Sequence, residues 1–429
     1  MIYVVQQGDT LWAIAHRFGL QVNQIASSNG VADPNRLAVG QALVLETNSY
    51  VVKPGDSLWR IAQLFQTTPQ ELAQLNNISV SSTLQVGQVI QLPQLTKTDT
   101  ETLAYLEPRG ESLAPALQTS TKEAAPWLTY LALFSYQAMR DGSLQPPPAI
   151  QEAAQIARET NTEMSLVVSN LAAGAFSAEL GRDILQSLAV QQLLIENIIE
   201  EAETVPNTTN ILFDFEHLRS ADRVAYVRFL EDATEQLNEL GYTVSVALAP
   251  KTEATAGTEW NIAHDYEAIG RAVDFVMLMT YEWGYSGGPP MAVSPLPQVR
   301  EVVEYALTMI PANKIMLGQN LYGYDWTLPF VQGGPYAEAL SPQRAVQTAI
   351  LNNAEIQYDE RAQAPFFRYR AQNGLIHEVW FEDARSIQMK FNLIKELSLR
   401  GIGYWKLGLP FPQNWLLLEE NFNIRKKSD

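Results

Sequence analysis

Short apolar runs alternate with stretches whose apolar positions recur three and four residues apart, over most of this chain. The runs are Leu103–Glu107, Leu128–Tyr136, Met164–Asn170, Ile211–Glu216, Thr243–Ala249, Phe275–Tyr281, Ile315–Tyr322 and Ile402–Leu407. Each is apolar nearly throughout, which predicts strands covered on both faces. Ala178–Glu203, Ala221–Leu240 and Val299–Thr308 carry the helical spacing between them. Eight such strands alternating with helices predict the α/β class and a (β/α)8 TIM barrel with insertions. A doubly wound sheet is the alternative, but no Gly-rich first turn supports it. Residues 355–382 break the rhythm. Glu355–Asp359, Phe366–Tyr369 and His377–Phe381 alternate like antiparallel strands, with Asn373-Gly374 as a hairpin turn. They predict a small α+β insertion between the last two barrel strands, walling one side of a cleft.

Ahead of the barrel the pattern repeats itself. Tyr3-Val4-Val5 recurs as Tyr50-Val51-Val52, and Gly8-Asp9-Thr10-Leu11-Trp12 as Gly55-Asp56-Ser57-Leu58-Trp59. Asn29 matches Asn76, and Val39-Gly40-Gln41 matches Val86-Gly87-Gln88. Each copy predicts strand, helix, helix, strand. Gly8-Asp9 makes the turn, Asp9 or Thr10 caps the next helix, and Leu11, Ile14, Ala15 and Phe18 form its apolar stripe. Pro69 suits the first turn of the second helix in copy two. Residues 1–47 and 49–94 are thus expected to be two βααβ modules. The polar stretch 95–102 is the expected linker, and 103–429 the catalytic domain with 355–382 inserted.

The repeated unit resembles the LysM module, which binds N-acetylglucosamine polymers. The resemblance implies sugar-binding loops at Gly8, Asp9, Thr10 and Leu11 with Asn35–Leu37, and at Gly55, Asp56, Ser57 and Leu58 with Ser82–Leu84. Trp12 and Trp59 are expected to pack rather than stack on sugar.

Composition narrows the function. With Lys+Arg 29 against Asp+Glu 47 the formal net charge is −18. That argues against nucleic acid, whose phosphates need clustered cations. Cysteine is absent, so disulfides, thiolate catalysis and Cys-based metal sites are excluded. The four histidines are scattered, so no metal and no cofactor is expected. The N-terminus lacks the basic-then-apolar pattern of a secretion signal, and no membrane span is expected.

Chemistry concentrates in Ile-Leu-Phe-Asp-Phe-Glu at 211–216. Residues two apart on a strand share a face, so Asp214 and Glu216 project together while Phe213 and Phe215 pack opposite. Two carboxylates at the end of a buried strand are costly unless they do proton chemistry. Barrel enzymes work at the carboxyl ends of their strands. Here those ends hold Glu107, Tyr136, Asn170, Asp214, Glu216, Pro250, Tyr281, Glu282, Trp283, Tyr322 and Trp405. Aromatic faces with carboxyl groups suit a sugar-cleaving site.

These segments resemble glycoside hydrolase family 18. Its fourth-strand motif D-G-x-D-x-D-x-E meets Thr209, Asn210, Leu212, Asp214 and Glu216, so only the last two acids are retained. Met279-Thr280-Tyr281-Glu282 matches its sixth-strand motif, Leu321-Tyr322-Gly323 its seventh, and Gly403-Tyr404-Trp405 its eighth. Together with the LysM pair, the chain resembles the cortex-fragment-degrading N-acetylglucosaminidases of spore-forming bacteria, which lack signal peptides.

The resemblance implies substrate-assisted retaining hydrolysis after N-acetylglucosamine. Glu216 is then the acid, Asp214 the acceptor of the acetamido N–H, and Tyr281 the donor to the acetamido oxygen. Trp405, Glu282, Met279, Asn170, Tyr136 and Tyr322 are the expected sugar contacts. His217 is expected to be structural. The implied partner is peptidoglycan or another N-acetylglucosamine polymer, the location the spore (coat/cortex boundary) or cell wall, and the state a monomer. Two other readings stay open: a sugar-binding protein without catalysis, and a chitinase.

Overall fold

Apolar side chains on both faces drive the eight runs into one closed sheet. In the computed structural model, which describes residues 1–65, 67–254 and 257–426, the barrel strands are Thr98–Leu106, Tyr130–Ala138, Glu163–Ser169, Thr208–Asp214, Thr243–Leu248, Phe275–Leu278, Ile315–Asn320 and Gly401–Trp405. Residues 427–429 of the expected catalytic span lie outside the described residues. Neighbours pair in parallel in chain order, and the eighth strand closes on the first. Helices surround the sheet, so the chain has the expected (β/α)8 TIM barrel.

Alternation along the fourth strand divides the core in two. Leu212 points to the barrel axis, among Leu103, Val167, Ala247, Met277 and Met316. Ile211, Phe213 and Phe215 point outward to the helix layer, where Phe213 and Phe215 meet the ring of Phe229. The same parity sends Asp214 inward. In place of the acids this motif usually carries, Thr209 donates its hydroxyl to Glu163, and Leu212 adds to the apolar filling of the barrel.

Several boundaries differ from expectation for local reasons. The polar stretch 95–102 is a strand from Thr98 onward, because Phe422–Ile424 returns to pair with it. The fourth and sixth strands stop at Asp214 and Leu278, leaving Glu216 and Tyr281 on loops just beyond. The stretch 178–203 is two helices, Ala178–Leu185 and Leu188–Thr204, since the Ser187 side chain caps the second by accepting from the Val190 N–H. The insertion begins well before residue 355. It is a five-stranded antiparallel sheet in the order Glu338–Leu340, Gly323–Leu328, Ile376–Trp380, Ala364–Arg370, Gln357–Asp359, with helix Pro342–Leu351 against it. Its strand Gly323–Leu328 follows directly on the seventh run, which ends as a strand at Asn320 and not at the expected Tyr322.

Both N-terminal modules have the expected order, and their repeated residues do repeated work. Asn29 ties its second helix to the closing strand through Ile25 O, Val44 O and Val44 N, and Asn76 does the same through Leu72 O, Gln91 O and Gln91 N. The two modules share one core, in which Phe18 meets Tyr50 and Phe65 at 6.1 and 6.0 Å. Module 1 also docks on the catalytic domain. Gln413 Nε2 donates to Asn29 Oδ1 and Ala42 O at 2.8 Å each, Arg385 donates to Gly40 O, and Ile356 N donates to Val39 O.

Candidate active site

The carboxyl ends of the barrel strands open into a cleft of about 740 Å³. Asp214, Glu216, Tyr281, Glu282, Met279 and Trp405 all line it. Six of the expected residues are therefore brought together on one surface.

Asp214 is 3% exposed, and its Oδ1 has no hydrogen-bond partner among the described residues. An unpaired carboxylate oxygen in the interior is costly, so a donor arriving there is strongly favoured. Burial pushes the Asp214 carboxyl up to about 7. Glu216 is raised well above the ordinary carboxylate range, first by burial and then by the charge of Asp214. The two share protons as one system. Near neutral pH the pair holds a proton that isolated carboxyls would have lost.

The backbone carrying Glu216 is fastened from both sides. Asn170, fully buried, accepts from the Glu216 N–H at 2.9 Å and donates to the Glu216 carbonyl at 2.8 Å, with a further bond to Ser177 O. One residue earlier, the Phe215 carbonyl meets His264 Nε2 at 3.0 Å. His264 Nδ1 accepts from the Ala249 N–H, which leaves Nε2 to donate to Phe215, and burial holds this histidine down to about 4. Asn170 is thus a clamp on the acid rather than a sugar contact.

Two other expected contacts are also corrected. Tyr136 is fully buried in the layer between barrel and helices, away from the cleft, because a bulge between Phe134 and Tyr136 reverses the alternation that points Phe134 inward. Tyr322 is 5% exposed and donates its hydroxyl to Glu282, as Tyr324 does at 2.9 Å. It orients Glu282 and does not line the cleft. Glu107 lines it, paired with Lys406 and Arg109.

Aromatic rings floor and wall the space. The Trp405 ring sits edge-on to Tyr105 and Phe134 at 5.2 and 5.1 Å. A short hairpin, Leu171–Ala172 with Ala175–Phe176, brings Phe176 over the cleft. Trp260 and the run Pro146-Pro147-Pro148 also line it. Sequence reasoning missed these wall residues, although the proline run was a visible signal. His217, expected to be structural, sits exposed with φ +55 just past the strand, its ring 4.8 Å from Trp260 and 6.3 Å from Phe176. The strand has already ended there, so strand alternation no longer governs it.

In the modules, most of the expected sugar-binding side chains serve the fold. Asp9 and Asp56 accept from Tyr3 and Tyr50 hydroxyls, Thr10 and Ser57 cap helices, and Leu11 and Leu58 are buried. Gly8 and Gly55, both at φ +86, make the turn that presents backbone groups instead. Trp12 and Trp59 are 68% and 59% exposed, so the packing expectation fails for both.

Among the described residues no cluster of His, Asp and Glu is placed to hold a metal ion, and no helix is long and apolar enough to cross a membrane.

The family model of the glycosyl hydrolases family 18 matches residues 129–409, and that of the LysM domain matches 3–46 and 50–93. The chain is 58% identical over 429 residues to a cortical fragment-lytic enzyme of Bacillus subtilis (strain 168), covering 100% of this chain and 99% of that one. Crystal structures of the spore cortex-lytic enzyme SleL from Bacillus megaterium QM B1551 and from Bacillus cereus superpose with a TM-score of 0.89 each, at 47% and 48% identity. Both cover 100% of this chain and 99% of the other.

Proposed function

The chain belongs to glycosyl hydrolase family 18 and carries two LysM domains; from that membership we propose that it cleaves β-1,4 bonds after N-acetylglucosamine in spore cortex or cortical fragments. It works as a monomer at the spore's coat/cortex boundary, and its LysM domains anchor it to the glycan. The cortical fragment-lytic relative at 58% identity supports the substrate class.

The observation that carries the chemistry is the unpaired Asp214 Oδ1 in one cleft with Glu216, whose carboxyl burial and the Asp214 charge raise well above the ordinary range. Glu216 gives its proton to the leaving glycosidic oxygen. The substrate's own acetamido oxygen attacks the anomeric carbon, so no second carboxylate nucleophile is needed. Asp214 accepts the acetamido N–H and steadies the positive charge that develops on that group. Tyr281 holds the acetamido oxygen in line, and Trp405 floors the ring. Glu216, now ionised, draws a proton from water in the second step, and the anomeric configuration is retained.

A muramic lactam has its nitrogen tied into a ring and offers no such internal nucleophile. Digestion of purified cortical fragments should therefore give new N-acetylglucosamine reducing ends by mass spectrometry. New lactam reducing ends would overturn the mechanism, and a preference for chitin over cortical fragments would favour a chitinase. Undiminished sugar release by Glu216→Gln would overturn Glu216 as the acid, and no release by the wild type would leave only a binding role for the barrel.

A further inference from the structure

The two LysM domains are equivalent in sequence pattern but not in surroundings. Every comparison falls on residues matched by the repeat. Gly40 is buried, and a Cβ there would lie 1.8 Å from the Ile356 carbonyl oxygen; its counterpart Gly87 is exposed with nothing within 4 Å. Ala42 is 4% exposed, whereas Val89 is 52% exposed. Val39 gives its carbonyl to Ile356 N, whereas Val86 is 66% exposed.

The difference centres on the loop before each closing strand, one of the two expected walls of each sugar groove. In module 1, Gly30 O accepts from Gln343 Nε2 and the Arg36 guanidinium donates to Ile350 O at 3.3 Å, near the end of helix Pro342–Leu351. Val39, Gly40 and Ala42 add the bonds to Ile356, Arg385 and Gln413. In module 2, among the described residues, every hydrogen bond made by 79–88 stays within the module.

We infer that the modules divide the work: module 1 is the bracket that fixes the pair to the catalytic domain, and module 2 alone holds the N-acetylglucosamine polymer. The loop of module 1 is tied to the catalytic domain at Arg36, Val39 and Gly40, and a glycan running past Arg36 meets Ile350 and Leu351. Module 2 keeps both walls free: the turn at Gly55 with Asp56, and the loop at Ser82–Leu84. Its orientation is not lost, because it shares a core with module 1. The inference rests on the reading of the LysM pair as the glycan anchor, and is independent of which bond the barrel cuts.

The test is hydrogen exchange read peptide by peptide on full-length Glu216→Gln, with and without the N-acetylglucosamine pentamer. Protection is expected over 55–58 and 79–88 and not over 8–11 and 31–37. Equal protection of the module 1 loops, or protection of neither module, would overturn the inference. Protection over 211–218 reports separately on the barrel cleft. As a second measurement, Ser82→Arg should weaken retention on insoluble cortex at least tenfold, while the matched Asn35→Arg should leave retention unchanged. The reverse result would assign binding to module 1.

Discussion

Asp214 and Glu216 illustrate how burial does chemical work at single positions. Glu216 binds its proton more tightly in the folded chain than in the unfolded one. Its contribution to stability is therefore complete below the unfolded value of about 4.3 and is lost as pH rises through the folded value. Glu216→Gln lacks that loss. Its melting temperature by calorimetry should exceed that of the wild type at pH 8 and match it near pH 4, while kcat on cortical fragments falls about 10²- to 10⁴-fold. Asp214→Asn removes the charge that adds to the raised pKa of Glu216. The alkaline limb of the residual kcat/KM profile should move to lower pH, and an unmoved limb would show that burial alone sets it. Asn170→Ala leaves the Glu216 N–H and carbonyl without their partner, at about 1–3 kcal/mol per unpaired group. Urea unfolding should show that loss. The acid pair was legible because strand alternation predicts its shared face. The clamp was not, since an amide that bonds backbone groups of a distant strand end leaves no periodic trace.

At the scale of elements, what the sequence conveyed was rhythm, and what it concealed was where each rhythm stops. Tyr322 was counted as the end of a strand because the apolar pattern runs on into the insertion. His217 lies past the point where the strand ends, so alternation does not place its side chain. The Leu171–Phe176 hairpin is too short to register as strands, yet it carries a cleft wall. Phe176→Ala should raise KM for cortical fragments by roughly 2- to 10-fold, the equivalent of about 0.5–1.5 kcal/mol for one aromatic contact, with kcat nearly unchanged. The docking seam is open to a matched comparison. Gly40 and Gly87 have φ of +81 and +87, so alanine meets the same backbone strain at both. Only Gly40→Ala also drives a Cβ into Ile356. It should lower the melting temperature more than Gly87→Ala, and equal losses would mean that the seam yields freely.

For the whole molecule, the barrel and the paired modules could be read from composition and period, since each is a local pattern repeated. Their mutual arrangement could not. It depends on complementarity between Asn29 or Gly40 and residues more than three hundred positions away, which no local pattern encodes. The shared core of Phe18, Tyr50 and Phe65, continued through Gln413 and Arg385 to the barrel, has one last effect. A flexible leash would let the blade sweep a sphere around its foothold. A rigid strut gives it one address, like the fixed jaw of a caliper. Each landing then selects a linkage at a set offset, and the fragment lengths released from one strand should cluster instead of spreading.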